Sequence, residues 1–406
     1  MARRWTDSGP TLKPVGSAGR ASGTWSPSAN GSNAMTSSDR RPLVLVAIDW
    51  YLPAYRAGGP VRSVANLVNA LGDDVDFRIV TGDRDLGASE PLPVEMNTWE
   101  SFGKAQVLHL PPAQQTAAHW TALLTELQPD RLYLNSLYSG PFSRLPWRVA
   151  RKLGVATTLA PRGMLGEGAL SIKPLRKRTW LTVQRWTGRY ADLTWHASTD
   201  AEREEIQRWF PEARIQVALN LPTPFAGLPP ALRPPIRLLS VGRIHPIKNY
   251  SFGVELAKML RASGHDVEYH IVGPLEDGGE AQHLEAQADG ISLKLIGPVP
   301  PTALQPHVEA AHLVMVPSFN ENFGHAVAEA VAAARPVLVS DRTAWTHMNP
   351  GPTVRCLPLD LDAWFQAAND LLSMSASDLE SSARDTHARC LLSPSHLAAQ
   401  RALFQP

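Results

Sequence analysis

Short apolar runs recur along this chain with helical patterns between them, and that alternation constrains the fold more than any other feature. Between residue 42 and about residue 220 the runs read PLVLVAID, DFRIVTGD, QVLHLP, RLYLNS, ATTLAPR and LTWHAS. From residue 236 a fresh set reads IRLLSVG, VEYHIVG, ISLKLIGP, HLVMVPS and PVLVSD. A continuous apolar run suits a strand covered on both faces, the situation of a parallel sheet flanked by crossover helices. Between the two sets lies LPTPFAGLPPALRPPI, 221–236, whose prolines remove N–H groups that a helix or central strand would need. The order predicts an α/β chain of two Rossmann-like domains, 42–220 and 237–385, with a Pro-rich linker at 221–236 and a C-terminal helix at 386–406. A chain of 406 residues with 44% hydrophobic content can bury two such cores.

Composition narrows the function. Thirty-nine basic residues are offset by 38 acidic ones, so a general nucleic-acid binder, which needs concentrated cationic surface, is not expected. Cys356 and Cys390 have no His or Cys at metal-ligand spacing beside them, which suggests a reducing compartment, the cytoplasm, and no zinc site. No apolar run reaches the roughly 18 residues of a membrane-spanning helix. Residues 1–41, rich in Ser, Gly, Pro, Thr and Arg, cannot build a core and are expected to be disordered. They lack the apolar stretch of a secretory signal. An organellar transit peptide and a start assigned too early, with Met35 as the working start, both remain open.

The stretch SFNENFGHAVAEAVAAARPV, 318–337, carries the densest chemistry. HLVMVPS before it reads as a buried strand and FGHAVAEAVAAAR, 323–335, as the helix that follows. Glu321 falls in the turn and Glu329 about a turn and a half into the helix. Two carboxylates in a closed cleft are costly unless partners meet them, and a polyhydroxylated ligand would. Glu321 would accept hydroxyls of a sugar, Glu329 a ribose diol, and free N–H groups at the helix start would suit a diphosphate. Two solvated glutamates near a helix end are the alternative.

A second segment follows the same plan. In IRLLSVGRIHPIKNYSFGVELAKML, 236–260, a strand leads to a loop holding Arg243 and Lys248, then to a helix whose core stripe is Phe252, Leu256, Met259 and Leu260. Cations at a strand's carboxyl end, away from any acidic run, are placed to neutralise phosphate oxygens. Solvated loop cations are the bland reading. Neither motif decides alone, but their order, two strand–helix repeats apart, makes a joint accident much less plausible.

On these residues the chain resembles the retaining glycosyltransferases of the GT-B fold, specifically the family 4 (group 1) type. The donor site of that family combines a G-R-x(4)-K loop, here Gly242-Arg243 to Lys248, with an E-x(7)-E motif, here Glu321 to Glu329. GGPVRSVANLVNAL (58–71), APRGML (160–165) and WHASTDAE (195–202) look like further family segments in the expected order, so the similarity extends over roughly residues 42–385. The resemblance implies two facing domains with an interdomain cleft, a nucleoside-diphosphate sugar as co-substrate with no other cofactor, and retention at the transferred sugar. It implies a glycan or lipid-linked acceptor in a bacterial surface polysaccharide or glycolipid pathway, and a C-terminal helix that crosses back onto the first domain.

Roles for individual residues follow from the same resemblance. Glu321, Arg243, Lys248 and Arg162 fall at the reacting centre, and Gly59, Gly242, Asn322, Phe323, Gly324 and Glu329 around the donor. Gly273, Gly297 and Val299 end strands where a base could lie. Gly59 precedes Pro60, which suits a helix N1 position; close approach to a ligand and a plain tight turn are both open there. Many relatives carry a histidine near the place of Arg162. Its replacement by a cation puts histidine assistance in doubt and suggests service to phosphate or to an anionic acceptor. His196 is a second cleft candidate or a packed residue.

Metal-dependent transferases hold a divalent ion with D-x-D. The triplets Asp74-Val75-Asp76, Asp83-Arg84-Asp85 and Asp360-Leu361-Asp362 all read as solvated loop acids, although Asp83 and Asp85 follow a strand and so stay open as a lesser metal-site alternative. Metal-independent stabilisation of the leaving group by Arg243, Lys248 and a helix beginning near Phe323 is expected instead. One further segment, SIKPLRKRTWLTVQRWTGRYA (171–191), places Leu175, Trp180, Val183, Trp186 and Tyr190 on one helical face and Lys177, Arg178, Arg185 and Arg189 on the other, with Leu181 out of pattern. It reads either as peripheral contact with an anionic membrane surface or as a helix docked on the first domain. A nucleotide-sugar epimerase, a sugar phosphorylase and a catalytically silent sugar-nucleotide binder stay open as other functions.

Overall fold

The structure of the protein, a computed structural model, describes residues 40–171, 173–225, 233–276, 278–348 and 350–405. The expected disorder of residues 1–41 and the middle of the Pro-rich linker therefore lie outside the described residues, apart from residues 40 and 41.

Two sheets carry the chain. The first comprises β1 (Leu43–Ala47), β2 (Asp76–Gly82), β3 (Trp99–Phe102), β4 (Ala105–Leu110), β5 (Arg131–Leu134), β6 (Thr157–Leu159), β7 (Thr194–Ala197) and β8 (Arg214–Val217), in the spatial order β3-β4-β2-β1-β5-β6-β7-β8. Its pairings are parallel except that β3 turns back on β4. The second comprises β9 (Ile236–Val241), β10 (Val267–Val272), β11 (Ser292–Gly297), β12 (Leu313–Val316), β13 (Val337–Ser340) and β14 (Val354–Leu357), in the order β11-β10-β9-β12-β13-β14, every pairing parallel. Helices α1 (Gly59–Leu71), α2 (Ala117–Leu127), α3 (Leu145–Leu153), α4 (Glu167–Ser171), α5 (Pro174–Trp186) and α6 (Asp200–Trp209) belong to the first set of strands. Helices α7 (Tyr250–Ala262), α8 (Gly278–Gln287), α9 (Pro301–Glu309) and α10 (His325–Ala332) belong to the second, and α11 (Leu361–Ser373), α12 (Ala376–Thr386) and α13 (Pro394–Ala402) close the chain.

Each central strand feeds two cores. In β1, Leu45 and Ala47 join a cluster with Trp120 and Phe142, while Val44 and Val46 join one with Val61 and Phe77. In β9, Leu238 faces Leu256 and Trp364, and Leu239 faces Val316 and Val327. Successive side chains point to opposite faces of a sheet, so an unbroken apolar run is what a strand between two helical layers requires. Strands β3, β8 and β14 escaped this pattern because all three are sheet edges, and WESF, RIQV and VRCL carry no such run.

Several expectations need correction. The helix expected from Phe323 starts two residues later, because Gly324 takes a left-handed φ of 76° at its N-cap and Phe323 turns into the core. Asp83 and Asp85 are buried, not solvated. The Asp85 carboxylate accepts backbone N–H groups of Tyr55, Arg56 and Leu86 and so closes the loop that follows β1. Among the other triplet acids, Asp74 pairs with Arg401 and Asp360 caps α11. The predicted apolar face of 171–191 is split: Leu181 is fully buried and Tyr190, beyond the end of α5, stacks on Trp147 at 4.5 Å, while Leu175, Val183 and Trp186 face water.

The chain end links the two sets. Trp364 and Leu371 of α11 stay in the second domain, with Phe252 edge-on to Trp364 at 5.0 Å. Leu391 still belongs to that domain's core, whereas Leu392, Leu397, Leu403 and Phe404 pack with β1 and β2 of the first. Gln400 donates to the carbonyls of Ala218 and Leu219, and Phe404 sits edge-on to Phe77 and Tyr133.

Candidate active site

In the second sheet the strand order reverses between β9 and β12, which lie side by side. Loops leaving the carboxyl ends of such a pair diverge and open a crevice. The two sequence motifs emerge from these two strands, which is why residues far apart in the chain meet.

The loop after β9 begins at Gly242, where a Cβ would stand 2.8 Å from the Tyr250 hydroxyl, and beside it Gly273 ends β10 with room for no side chain, since a Cβ there would lie 2.0 Å from the Gly242 carbonyl. Glycine at both places lets two strand ends close together under the Lys248 side chain, whose Cε would lie 3.3 Å from that first Cβ. Lys248 forms a short ion pair with Glu321, each side chain about one-sixth exposed, and Ser318 Oγ donates to the same Glu321 oxygen at 3.0 Å. Arg243, half exposed, pairs with Glu276 at 2.7 Å. No acidic run adjoins these cations in the sequence, yet each meets a single acid, residues 276 and 321, that arrives through the fold. Gly297 ends β11 and its carbonyl accepts the Gly273 N–H, whereas Val299 packs against the core cluster of β12 and α10.

Opposite stand residues of the first domain. Arg162, after β6, holds a φ of 56°, a conformation most side chains avoid and one that is concentrated at functional sites. Its guanidinium donates to Asn135 Oδ1 at 2.8 Å, to the Tyr133 hydroxyl at 2.8 Å and to Asn220 Oδ1. No carboxylate pairs with it among the described residues. The turn is fixed from behind by buried Glu202, which accepts the N–H groups of Gly163 and Ser198. His196 lies beneath this turn, not in the cleft. It accepts a hydrogen bond from the Tyr133 hydroxyl on Nδ1 at 2.6 Å and donates from Nε2 to the Ala218 carbonyl at 2.7 Å. Burial, with the Arg162 charge nearby, pushes its pKa down to about 3, so it is neutral and structural.

The two domains touch at the start of α10. Asn322 donates to Ser198 Oγ at 3.1 Å and its Cβ lies against Gly163. Arg62 of α1 pairs with Glu329 at 3.3 Å, and burial raises the Glu329 pKa while Arg62 lowers it. His325 Nε2 meets Ser63 Oγ at 3.0 Å, and since that hydroxyl donates to the Gly59 carbonyl, the imidazole is the donor here. Burial and the charges of Arg162, Arg62 and Lys248 push the His325 pKa down to about 3. Gly59 packs against the same ring.

The sequence reading missed Arg62, Ser63 and His325 at the domain contact, and the partners Glu276, Ser318, Tyr133, Asn135 and Asn220. His325 had a signal, standing four residues from Glu321 and four from Glu329, one turn from the latter on the same helix. Phe323, counted among donor contacts, has a buried side chain, and only its backbone borders the turn, where its carbonyl accepts the Trp345 N–H at 2.8 Å. Among the described residues no group of three His, Cys, Asp or Glu is arranged to hold a metal ion, and no helix is long and apolar enough to cross a membrane.

Comparison with known proteins adds to this geometry. The profile described as "Glycosyl transferase 4-like domain" matches residues 58–220, and that described as "Glycosyl transferases group 1" matches residues 235–374. The chain is 36% identical over 113 residues to D-inositol 3-phosphate glycosyltransferase of Geodermatophilus obscurus, covering 25% of each chain. It is 31% identical over 122 residues to the amylovoran biosynthesis glycosyltransferase AmsK of Erwinia amylovora, covering 28% of this chain and 30% of that one. These matches span only about a quarter to a third of the relatives' length. The structure of HepE from Anabaena, in complex with UDP and glucose, superposes with a TM-score of 0.62 at 12% identity, over 89% of this chain and 98% of that one.

Proposed function

Because the chain belongs to the group 1 (family 4) glycosyltransferases of the GT-B fold, we propose that it moves a sugar from a nucleoside-diphosphate donor to a glycan or lipid-linked acceptor, with retention at the anomeric carbon and without a metal ion. The observation that carries this reading is the Lys248–Glu321 pair beside Arg243 at the reversal point of the second sheet. A diphosphate entering there takes up donors from Lys248 and Arg243, which releases Glu321 to accept sugar hydroxyls. HepE, alike in fold, holds UDP and glucose.

In the proposed step the bond between the anomeric carbon and the β-phosphate oxygen breaks while the acceptor oxygen bonds to that carbon on the same face. The departing phosphate oxygen takes the acceptor proton. Lys248, Arg243 and the N-terminal end of α10 oppose the charge growing on the phosphate, in positions set before the reaction begins. Glu321 orients the sugar; a role as covalent nucleophile would need one of its oxygens at near-attack distance from the anomeric carbon. Glu329 faces the ribose diol, and Arg162 supplies a standing positive charge to phosphate or to an anionic acceptor. No resident cofactor enters. The likeness to AmsK, an amylovoran biosynthesis glycosyltransferase, supports a biosynthetic role; a surface polysaccharide as product and a cytoplasmic place of action belong to the proposal.

The test is a panel of UDP-, GDP-, ADP- and dTDP-sugars assayed for released nucleoside diphosphate with and without acceptor, with product configuration read by NMR. Acceptor-dependent release with retained configuration is expected. Tight donor binding with no turnover on any acceptor would favour a silent binder and contradict the proposal.

A further inference from the structure

Charge is distributed very unevenly along this chain. Residues 131–191 contain twelve Lys or Arg and a single carboxylate, Glu167, a net of +11 in a chain whose whole net charge is +1. The remainder therefore carries −10. Much of the cationic excess is displayed together, away from the cleft. A cavity of about 700 Å³ is lined by Trp147, Arg148, Arg151, Lys152 and Arg189, with no acid among them, and Arg148 also lines a neighbouring cavity of about 450 Å³ beside Arg144. One acid, Asp192, borders the first cavity through an exposed pair with Arg151 at 3.4 Å.

Apolar side chains project beside these cations. Six large apolar residues are exposed among the described residues, and four of them, Leu153, Leu175, Val183 and Trp186, lie on α3 and α5. Trp186 is 90% exposed and Leu175 82%, and they stand together on one helix instead of singly. At 100° per residue Leu175, Val183 and Trp186 share one outward face of α5, flanked by Arg176 on one side and by Arg178 and Arg185 on the other. The Trp147–Tyr190 stack ties α3 to the segment that follows α5, and Arg189 of that segment, three residues beyond Trp186, lines the cationic cavity.

We propose that α3 and α5 form a docking surface for an anionic lipid bilayer, with Trp186, Leu175 and Val183 entering the interface and the cavity of Arg148, Arg151, Lys152 and Arg189 holding lipid phosphate. Cations alone would serve a nucleic acid equally, but that partner would leave the tryptophan and leucine in water. A bilayer interface accepts both, since tryptophan settles at the headgroup level and cations draw anionic lipid. This surface lies outside the transfer cleft, and its lipid affinity does not depend on the sugar-transfer chemistry.

The test is co-sedimentation of the full chain with vesicles of phosphatidylcholine, with and without phosphatidylglycerol, across a salt series. Binding is expected only with phosphatidylglycerol and should weaken as salt rises. Trp186→Glu with Leu175→Glu should lower vesicle affinity at least about tenfold, and Arg148→Ala and Arg151→Ala about fivefold each, with melting temperature and turnover on a soluble acceptor unchanged. Equal binding to neutral vesicles, absence of binding to anionic ones, or full affinity in the well-folded Trp186/Leu175 variant would overturn the proposal. Binding of a duplex oligonucleotide as tight as that of anionic vesicles, and indifferent to Trp186→Glu, would overturn it in favour of nucleic acid.

Discussion

Lys248 and Arg243 on one wall of the cleft and Arg162 on the other handle positive charge in opposite ways. On the second domain Lys248 and Arg243 each sit against a carboxylate, Glu321 and Glu276. On the first, Arg162 is held by two amide oxygens and a phenol, and no carboxylate neutralises it among the described residues. A paired cation is kept safe at rest and must change partners when an anion arrives; an unpaired one needs no exchange and offers its charge at all times. Removing one partner of a buried pair exposes the other to an uncompensated charge. On the proposed reading the second domain suits a ligand that supplies both anion and hydroxyls, and Arg162 supplies a fixed field.

The comparison breaks most clearly at Glu321. Glu321→Gln keeps the shape but leaves Lys248 without its anion and the sugar without its acceptor, and should lower kcat/KM about a hundred- to a thousandfold. Retention of near-full transferase activity in steady-state assays would remove Glu321 from the mechanism. Arg162→Lys comes next. A lysine cannot reproduce the fork to Asn135, Asn220 and Tyr133, so kcat/KM should fall about tenfold to a hundredfold. If the residue serves only to hold the turn, melting temperature will drop while turnover per folded molecule stays level.

Smaller effects sharpen the boundary between the walls. Arg62→Ala removes the cross-domain partner of Glu329, and donor KM should shift about fivefold with kcat little changed. An equal loss in kcat would instead mean that the pair acts at the reacting atoms. The smallest effect at neutral pH concerns His196 and His325. Both are kept neutral, with pKa values pushed down to about 3 from 6.5 by burial and by the Arg162 charge, to which Arg62 and Lys248 add at His325. As pH falls the unfolded chain protonates first, so the stability these rings contribute is intact above pH 6.5 and is lost progressively toward pH 3. Thermal melts across this window should decline, and His325→Asn should flatten the slope; an unaltered slope in that variant would assign the loss elsewhere.

Much of the fold was legible because its signal is local. Apolar runs such as LVLVA mark strands between two cores, and the prolines of 221–236 mark a break between the sets. The edge strands WESF, RIQV and VRCL were illegible because their stability comes from a neighbour, not from their own residues. The site divided in the same way. Arg243, Lys248, Glu321 and Glu329 could be picked out because each motif is compact in sequence. Arg62 could not, for it acquires its meaning only from Glu329 more than two hundred residues away, and the pairing of Arg243 with Glu276 was hidden for the same reason. Helix α5 shows a third case: the 100° periodicity placed Leu175, Val183 and Trp186 together correctly, but which side faced the core depended on Leu181 and on Tyr190 meeting Trp147.

The central claim, that Lys248 and Arg243 leave their carboxylates for an incoming diphosphate, is tested most directly by ligand-induced stabilisation. With UDP, GDP, ADP and dTDP in turn at roughly a hundredfold excess over Kd, the matching nucleotide should stabilise the protein by about 2.7 kcal/mol, a rise in Tm of several degrees. The Arg243→Ala/Lys248→Ala protein, folded by circular dichroism, should lose nearly all of that rise. A shift of undiminished size in the folded double variant would contradict the account.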